Sequence, residues 1–215
     1  MTRKALLLAS SSPYRKALLE RLGLAFTCAS PDIDESPQPG EPGDSLATRL
    51  AETKARALAE QFPGHWIIGS DQVACLPDGS ILGKPGNHAQ ATNQLRQSSG
   101  HRVLFLTGLA LFDADSGKLE SLCEPFNVRF RELTDEEIEA YLLQEKPYDC
   151  AGSFKMEGLG ITLFDALEGR DPNSLVGLPL IALNDMLRRW GRNPLLENRP
   201  EPEITQRSSR RDSTN

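Results

Sequence analysis

The sequence predicts an α/β fold: a mixed central sheet flanked by helices, arranged as two lobes around a cleft. Three observations carry this. Short apolar runs alternate with helical periodicity through the N-terminal half; two long strand-like runs then follow one another across a tight turn; glycine-rich elbows interrupt the pattern after residue 150.

Element by element, Ala5 to Ala9 is an apolar run bounded by serines, a buried strand. Pro13 then opens a helix to Leu22, capped by Ser11 or Ser12. Ala25 to Ser30 reads as a second strand, followed by a Pro/Gly/acid loop from Pro31 to Gly43 and an amphipathic helix from about Asp44 to Gln61. A third strand, His65 to Ser70, delivers Asp71 to its C-terminal end. Pro77-Asp78-Gly79 is a hairpin turn, and Asn87 caps a helix to about Ser98. Arg102 to Phe112 and Lys118 to Arg131 form an antiparallel ribbon about Asp115-Ser116-Gly117. Its apolar face, from Val103 to Val128, reads equally as core or as a surface pairing two subunits. Thr134 and Glu137 make a capping box for a helix to about Gln144. Gly160 to Phe164 reads as a strand and Pro179 to Trp190 as a last amphipathic helix. Residues 1–196 make one domain. From Glu197 to Asn215 only Ile204 is aliphatic, which predicts a disordered tail.

Composition narrows the function. The 215 residues carry 24 basic and 30 acidic side chains, a net charge of −6 that repels a nucleic-acid backbone. No apolar run approaches the ~20 residues that cross a bilayer, and no signal peptide is read at the start. Cys28, Cys75, Cys123 and Cys150 are scattered, and His65, His88 and His101 lack ligand spacing, so reduced thiols in a cytoplasmic protein are expected and a zinc site is not.

The chemistry-bearing segments are few. Ser10-Ser11-Ser12-Pro13-Tyr14-Arg15-Lys16 puts hydroxyls, amides and a forked donor at a helix entrance, a place suited to an anion. Asp71 follows a glycine at a strand exit, where a carboxylate can hold a hard cation such as Mg2+ or take a proton from water. Asp32, Asp34 and Glu35 lie in the acidic loop. Gly83-Lys84-Pro85 is no P-loop: only three residues separate Gly79 from Gly83, and Pro85 replaces Ser or Thr. Lys84 remains a point charge for phosphate. Cys150 to Gly160 and Gly169 to Pro179 are glycine-rich elbows that bend tightly or approach a ligand.

Taken in order, Ser-x-Ser-Pro-Tyr-Arg, Asp34-Glu35, Ala51-Glu52-Thr53-Lys54-Ala55, Gly69-Ser70-Asp71-Gln72, Gly83-Lys84-Pro85, Ala151-Gly152-Ser153-Phe154 and Leu175-Val176-Gly177-Leu178-Pro179-Leu180 resemble the Maf-like nucleotide pyrophosphatases from about Leu6 to Leu196. The resemblance implies a Maf/ITPase-like architecture with a nucleotide-binding cleft. It implies an enzyme that splits a nucleoside triphosphate between the α and β phosphorus atoms with Mg2+ or Mn2+. Asp71 would accept the water's proton, Ser10, Arg15, Lys54 and Lys84 would surround the triphosphate, and Glu35 would join Asp71 at the metal.

Within the family, Tyr14, Gln72 and Glu157 resemble the branch acting on 7-methyl-GTP rather than the dTTP and UTP branch, which has Arg, Thr and Gln there. An aromatic face attracts a cationic base by about 0.5 to 2 kcal/mol, and a carboxylate accepts from guanine N1–H and the 2-amino group. The resemblance implies Trp rather than Tyr at position 14 in close relatives, and Tyr is the weaker face. The alternatives are the dTTP/UTP activity and a non-catalytic nucleotide-binding regulator of septum formation. A small-molecule nucleotide, not a nucleic acid or membrane, is the expected partner, with a homodimer possible.

Overall fold

The computed structural model describes residues 4–197. The chain is built on one seven-stranded mixed sheet of order β2-β1-β3-β5-β6-β7, with β4 paired to β3 outside that path. Strand β1 (Ala5–Ala9) runs parallel to β2 (Phe26–Ala29) and β3 (His65–Cys75). Every other pairing is antiparallel: β3 with β4 (Ile81–Leu82) and β5 (Arg102–Asp113), β5 with β6 (Leu119–Phe130), and β6 with β7 (Phe164–Gly169).

Helices cover both faces. Helix α1 (Pro13–Glu20) and α5 (Leu180–Arg189) bury leucines against Leu6, Leu8 and Ile68. Helix α2 (Gly43–Ala57) lies on the opposite face against Leu7, Ile67, Val73 and Ala110. The far end of the sheet carries α3 (His88–Ser98) and α4 (Asp135–Glu145) around an aromatic core of Phe105, Phe126, Phe130 and Phe154. A one-turn helix, α6 (Pro194–Glu197), closes the described chain. The expected sheet-and-helix class is therefore the observed one, and its two lobes share one sheet. Among the described residues no helix is long and apolar enough to cross a membrane.

The caps follow the sequence. Ser12, Asn87 and Thr134 accept main-chain N–H groups at the starts of α1, α3 and α4, the last as a full capping box.

Four expectations need correction or narrowing. First, β3 does not end at Ser70 but continues to Cys75, so Asp71 lies within the strand. Its parallel neighbour β1 stops pairing at Leu8↔Ile68, whereas antiparallel β5 escorts β3 to Cys75, so the strand outlasts the apolar run that announced it. Second, of the strand expected at Gly160 to Phe164 only Phe164 is strand, as the first residue of β7. Leu159–Leu163 is a 3-10 turn closed by Thr162 Oγ1 donating to Leu159 O at 2.7 Å, and β7 follows it. Third, of the two readings left open for the ribbon, core holds at Val103 and Val128, which are fully buried with Phe105 and Phe130. Fourth, Glu197 is not tail: it pairs with Arg192 at 2.9 Å. The rest of the predicted tail, 198–215, lies outside the described residues, as do residues 1–3.

Candidate active site

The site depends on how closely α2 can approach the sheet. Side chains alternate along β3: Ile67, Gly69, Asp71 and Val73 face α2, while Ile68, Ser70, Gln72 and Ala74 face the other way. Gly69 and Gly108, on neighbouring strands, sit directly under the helix. A Cβ on either would stand 2.0 Å from a helix carbonyl oxygen, of Ala51 and Ala47 respectively. Two missing side chains thus let the helix backbone rest on the sheet, and Lys54, one turn beyond Ala51, reaches Asp71.

The Lys54 ammonium lies 2.6 Å from Asp71 Oδ1 and 2.6 Å from Glu35 Oε1. Lys54 is 6% exposed and Asp71 9%, so removing Lys54 leaves the Asp71 carboxylate without this partner in a poorly solvated place. Burial pushes the Glu35 carboxyl up, but the hydrogen bond from Lys54 and the fields of Lys54, Lys84 and Arg15 outweigh it and hold the group below its ordinary value. Both carboxylates meet at the Lys54 ammonium, and their second oxygens are the hard donors that a divalent cation would take beside phosphate oxygens and water. Among the described residues no cluster of three or more His, Cys, Asp or Glu forms a dedicated metal cage.

Across from this triad β1 ends and α1 begins. Ser12 N donates to Ser10 Oγ at 3.1 Å, and Arg15 N to Ser12 Oγ at 3.4 Å. The side chain of Arg15 turns inward, its Nε donating to Gly177 O at 2.9 Å. Burial pulls the guanidinium below its ordinary value, against the opposing fields of Asp71 and Glu35. Gly177 has φ +106°, and a Cβ there would also stand 3.0 Å from Arg15 Nε, so both conformation and space call for glycine.

The same carbonyl lies 2.8 Å from Ser70 Oγ, which is equally close to Gly108 O and can donate to only one of them at a time. Gln72 Nε2 donates to Ser174 O at 2.7 Å and Thr107 Oγ1 to the same oxygen at 2.9 Å. Buried Asp171 accepts from Asn173 N and from Ile181 N at the start of α5. The second glycine-rich elbow is thereby fastened to the sheet.

The far wall is the first elbow. Phe154 packs edge-on against Phe105, Phe130 and Phe164 at centroid distances of 5.1, 6.1 and 4.9 Å. Beyond it a turn closes with Gly158 N donating to Lys155 O at 3.3 Å and leaves Glu157 exposed. Lys84 is also exposed, on the loop after β4.

Nine residues singled out in the sequence, Ser10, Tyr14, Arg15, Glu35, Lys54, Asp71, Gln72, Lys84 and Glu157, line one cleft of about 400 Å3, a size usual for small-molecule sites, whereas Asp32 and Asp34 of the acidic loop do not line it. Gln72 is the one whose use differs from expectation, because its amide N–H fastens the elbow and only its carbonyl oxygen remains for a ligand.

Sequence reasoning missed Lys155, Asp149 and the Thr107–Ser174 link. Lys155 stands inside the first glycine-rich elbow, whose position beside the site was the available signal. Burial pushes the Lys155 ammonium down, but the neighbouring Tyr14, Cys150 and Asp149 more than offset it, and the group ends above its ordinary value. Cys150 also lines the cleft, but burial pushes its thiol up to about 12, so it is no nucleophile at neutral pH.

Among solved structures the chain is similar to a HAM1 protein from Coxiella burnetii, at 17% identity and TM-score 0.44, over 60% of this chain and 73% of that one. It is also similar to a nucleoside-triphosphatase, dITP/XTP pyrophosphatase, from Mycobacterium abscessus, at 17% identity and TM-score 0.40, over 86% of this chain and 96% of that one. Likenesses this slight bear on neither the fold nor the chemistry. The comparison that does bear on both spans the elements that build the cleft: residues 5–190, from β1 to the end of α5, match the family model of Maf-like proteins, and the chain belongs to that family.

Proposed function

We propose that the cleft hydrolyses a nucleoside triphosphate to a monophosphate and diphosphate, and that 7-methyl-GTP is its substrate. The observation that carries the reading is the juxtaposition of the buried Lys54–Asp71 pair, joined by the more exposed Glu35, with the entrance of α1.

Four cations, Arg15, Lys54, Lys84 and Lys155, line the cleft beside four carboxylates, Glu35, Asp71, Asp149 and Glu157, so in a chain of net charge −6 the cleft itself is formally balanced and offers cations to a triphosphate. Ser10 and Ser12 offer hydroxyls and Arg15 its remaining N–H donors to phosphate oxygens at the positive end of α1. Lys54 and Lys84 stabilise the charge that grows on the leaving diphosphate. Asp71 accepts the proton of the water whose oxygen attacks the α phosphorus, as the bond from that phosphorus to the bridging oxygen breaks. A divalent cation, Mg2+ or Mn2+, held by Glu35 and Asp71 would neutralise phosphate charge and acidify water.

At the other end Tyr14 offers a ring face to a cationic base and Glu157 an acceptor pair to the guanine edge. Gln72 supports this selectivity through the elbow it fastens. Diphosphate release from 7-methyl-GTP, GTP, dTTP, UTP and CTP with Mg2+ or Mn2+ tests the proposal. The expected result is the highest kcat/KM on 7-methyl-GTP. A best rate on dTTP or UTP would overturn the substrate, and tight binding with no diphosphate would overturn the reaction.

A further inference from the structure

Lys155 and Glu157 offer opposite charges to one end of the cleft from the first and third positions of a single turn. Resting on the nucleotide reading above, we propose that Lys155 reads O6 of a guanine, donating to that oxygen while Glu157 accepts from N1–H and the 2-amino group.

Lys155 is held as a recognition group. Its main-chain N–H donates to Tyr141 Oη at 2.9 Å, and the preceding Phe154 is locked in the aromatic core. Its ammonium donates to Glu145 O at 2.9 Å, beside the Tyr14 hydroxyl. An ammonium has three donors, so these two neighbours leave one for the cleft that Lys155 lines. A side chain already fixed at both ends loses little freedom when a ligand arrives.

The pattern of the pair then chooses the base. Guanine presents an acceptor, then two donors, along this edge, complementary to an ammonium followed by a carboxylate. Adenine puts an amino group against the ammonium. Uracil and thymine match the first two positions but set O2 against the carboxylate. Each mismatch leaves a charged group unpaired, the costliest kind of error in a binding site.

The test compares GTP with 6-thio-GTP, which keeps N1–H and the 2-amino group but replaces O6 by sulfur, a weaker acceptor. In the wild-type protein kcat/KM should favour GTP. Lys155→Met should lower the value for GTP about tenfold and that for 6-thio-GTP less than about threefold, as loss of one charge-assisted hydrogen bond requires. Lys155→Arg, which keeps a donor, should restore much of the preference for GTP. Glu157→Gln should weaken both nucleotides alike. Equal losses on both nucleotides in Lys155→Met, or no loss on either, would show that Lys155 only supports the loop. If wild type turns over neither nucleotide, dissociation constants of their α,β-methylene analogues carry the same comparison. In that case O6-dependent binding would sustain the role of Lys155 while the hydrolase reading failed.

Discussion

At one end of the cleft Lys54 and Asp71 come from the last turn of a helix and the middle of a strand, both buried and ion-paired. At the other end Glu157 stands exposed on a turn. The first end is positioned by main chain: two glycines under α2 set the helix height to within a fraction of an ångström, and no side-chain adjustment can restore it. The second is positioned by anchors, with Phe154 in the core and Tyr141 on the next N–H, and its outward-facing residues can change without disturbing the fold. The comparison teaches where chemistry and selectivity can vary separately. The buried Lys54–Asp71 pair at the phosphate end sits where substitution damages stability, and the exposed Glu157 at the base end sits where it does not.

The largest expected effect tests the first end at its centre. Asp71→Asn keeps the shape and removes the proton acceptor, so diphosphate release should fall by about 10²- to 10⁴-fold while calorimetric nucleotide affinity stays within about threefold. Near-normal turnover by this variant would deny Asp71 its role.

Next comes Gly69→Ala, which forces a methyl group against Ala51 O. Overpacking of this kind costs about 1–3 kcal/mol, measurable by urea unfolding, and the lifted helix should carry Lys54 away and reduce turnover by at least about tenfold. Gly79→Ala, at a turn where the added Cβ meets nothing, is the control: strained at φ +87° but without effect on kcat. If both variants lose turnover equally, the close approach of α2 is not what positions Lys54.

At the second end Glu157→Gln should leave the urea midpoint unchanged and cut the preference for guanine over uracil nucleotides about tenfold. A changed midpoint would mean that the two ends are not separable.

The smallest effect lies away from the cleft. Burial pushes the Asp113 carboxyl up, but Lys4 and the main-chain N–H groups of Asp115 and Ser116 outweigh it and bring its pKa to about 2. A folded pKa below the unfolded one means that the contribution is full above about pH 4 and fades as pH falls toward 2. Asp113→Asn should therefore be less stable than wild type at pH 7, with the difference narrowing over that acid window in urea titrations at successive pH values.

Much of this was legible in the residues. Strand-to-helix entry at Pro13, the caps at Asn87 and Thr134, and the ribbon about Asp115-Ser116-Gly117 are local signals, and they match the structure because no distant contact opposes them. The extent of β3 was not legible, because it depends on β5, some forty residues on, pairing along residues whose polarity had suggested an exit. The strand expected at residues 160–164 was misplaced for a related reason: an apolar run suits a tight turn as well as a strand, and pairing with β6 begins only at Phe164 and runs to Gly169. The candidate residues themselves were found by type and by family likeness. Gly108 and Lys155 were not, since what matters about Gly108 is the helix above it, and Lys155 becomes significant only when the fold brings it to Tyr14.

The central claim is that water attacks the α phosphorus of a nucleotide held between α1 and Asp71. Turnover of 7-methyl-GTP in ¹⁸O-labelled water, with products weighed by mass spectrometry, tests it most directly. The account predicts one heavy oxygen in the nucleoside monophosphate and none in the diphosphate; label in the diphosphate, or release of orthophosphate with a nucleoside diphosphate, would contradict it.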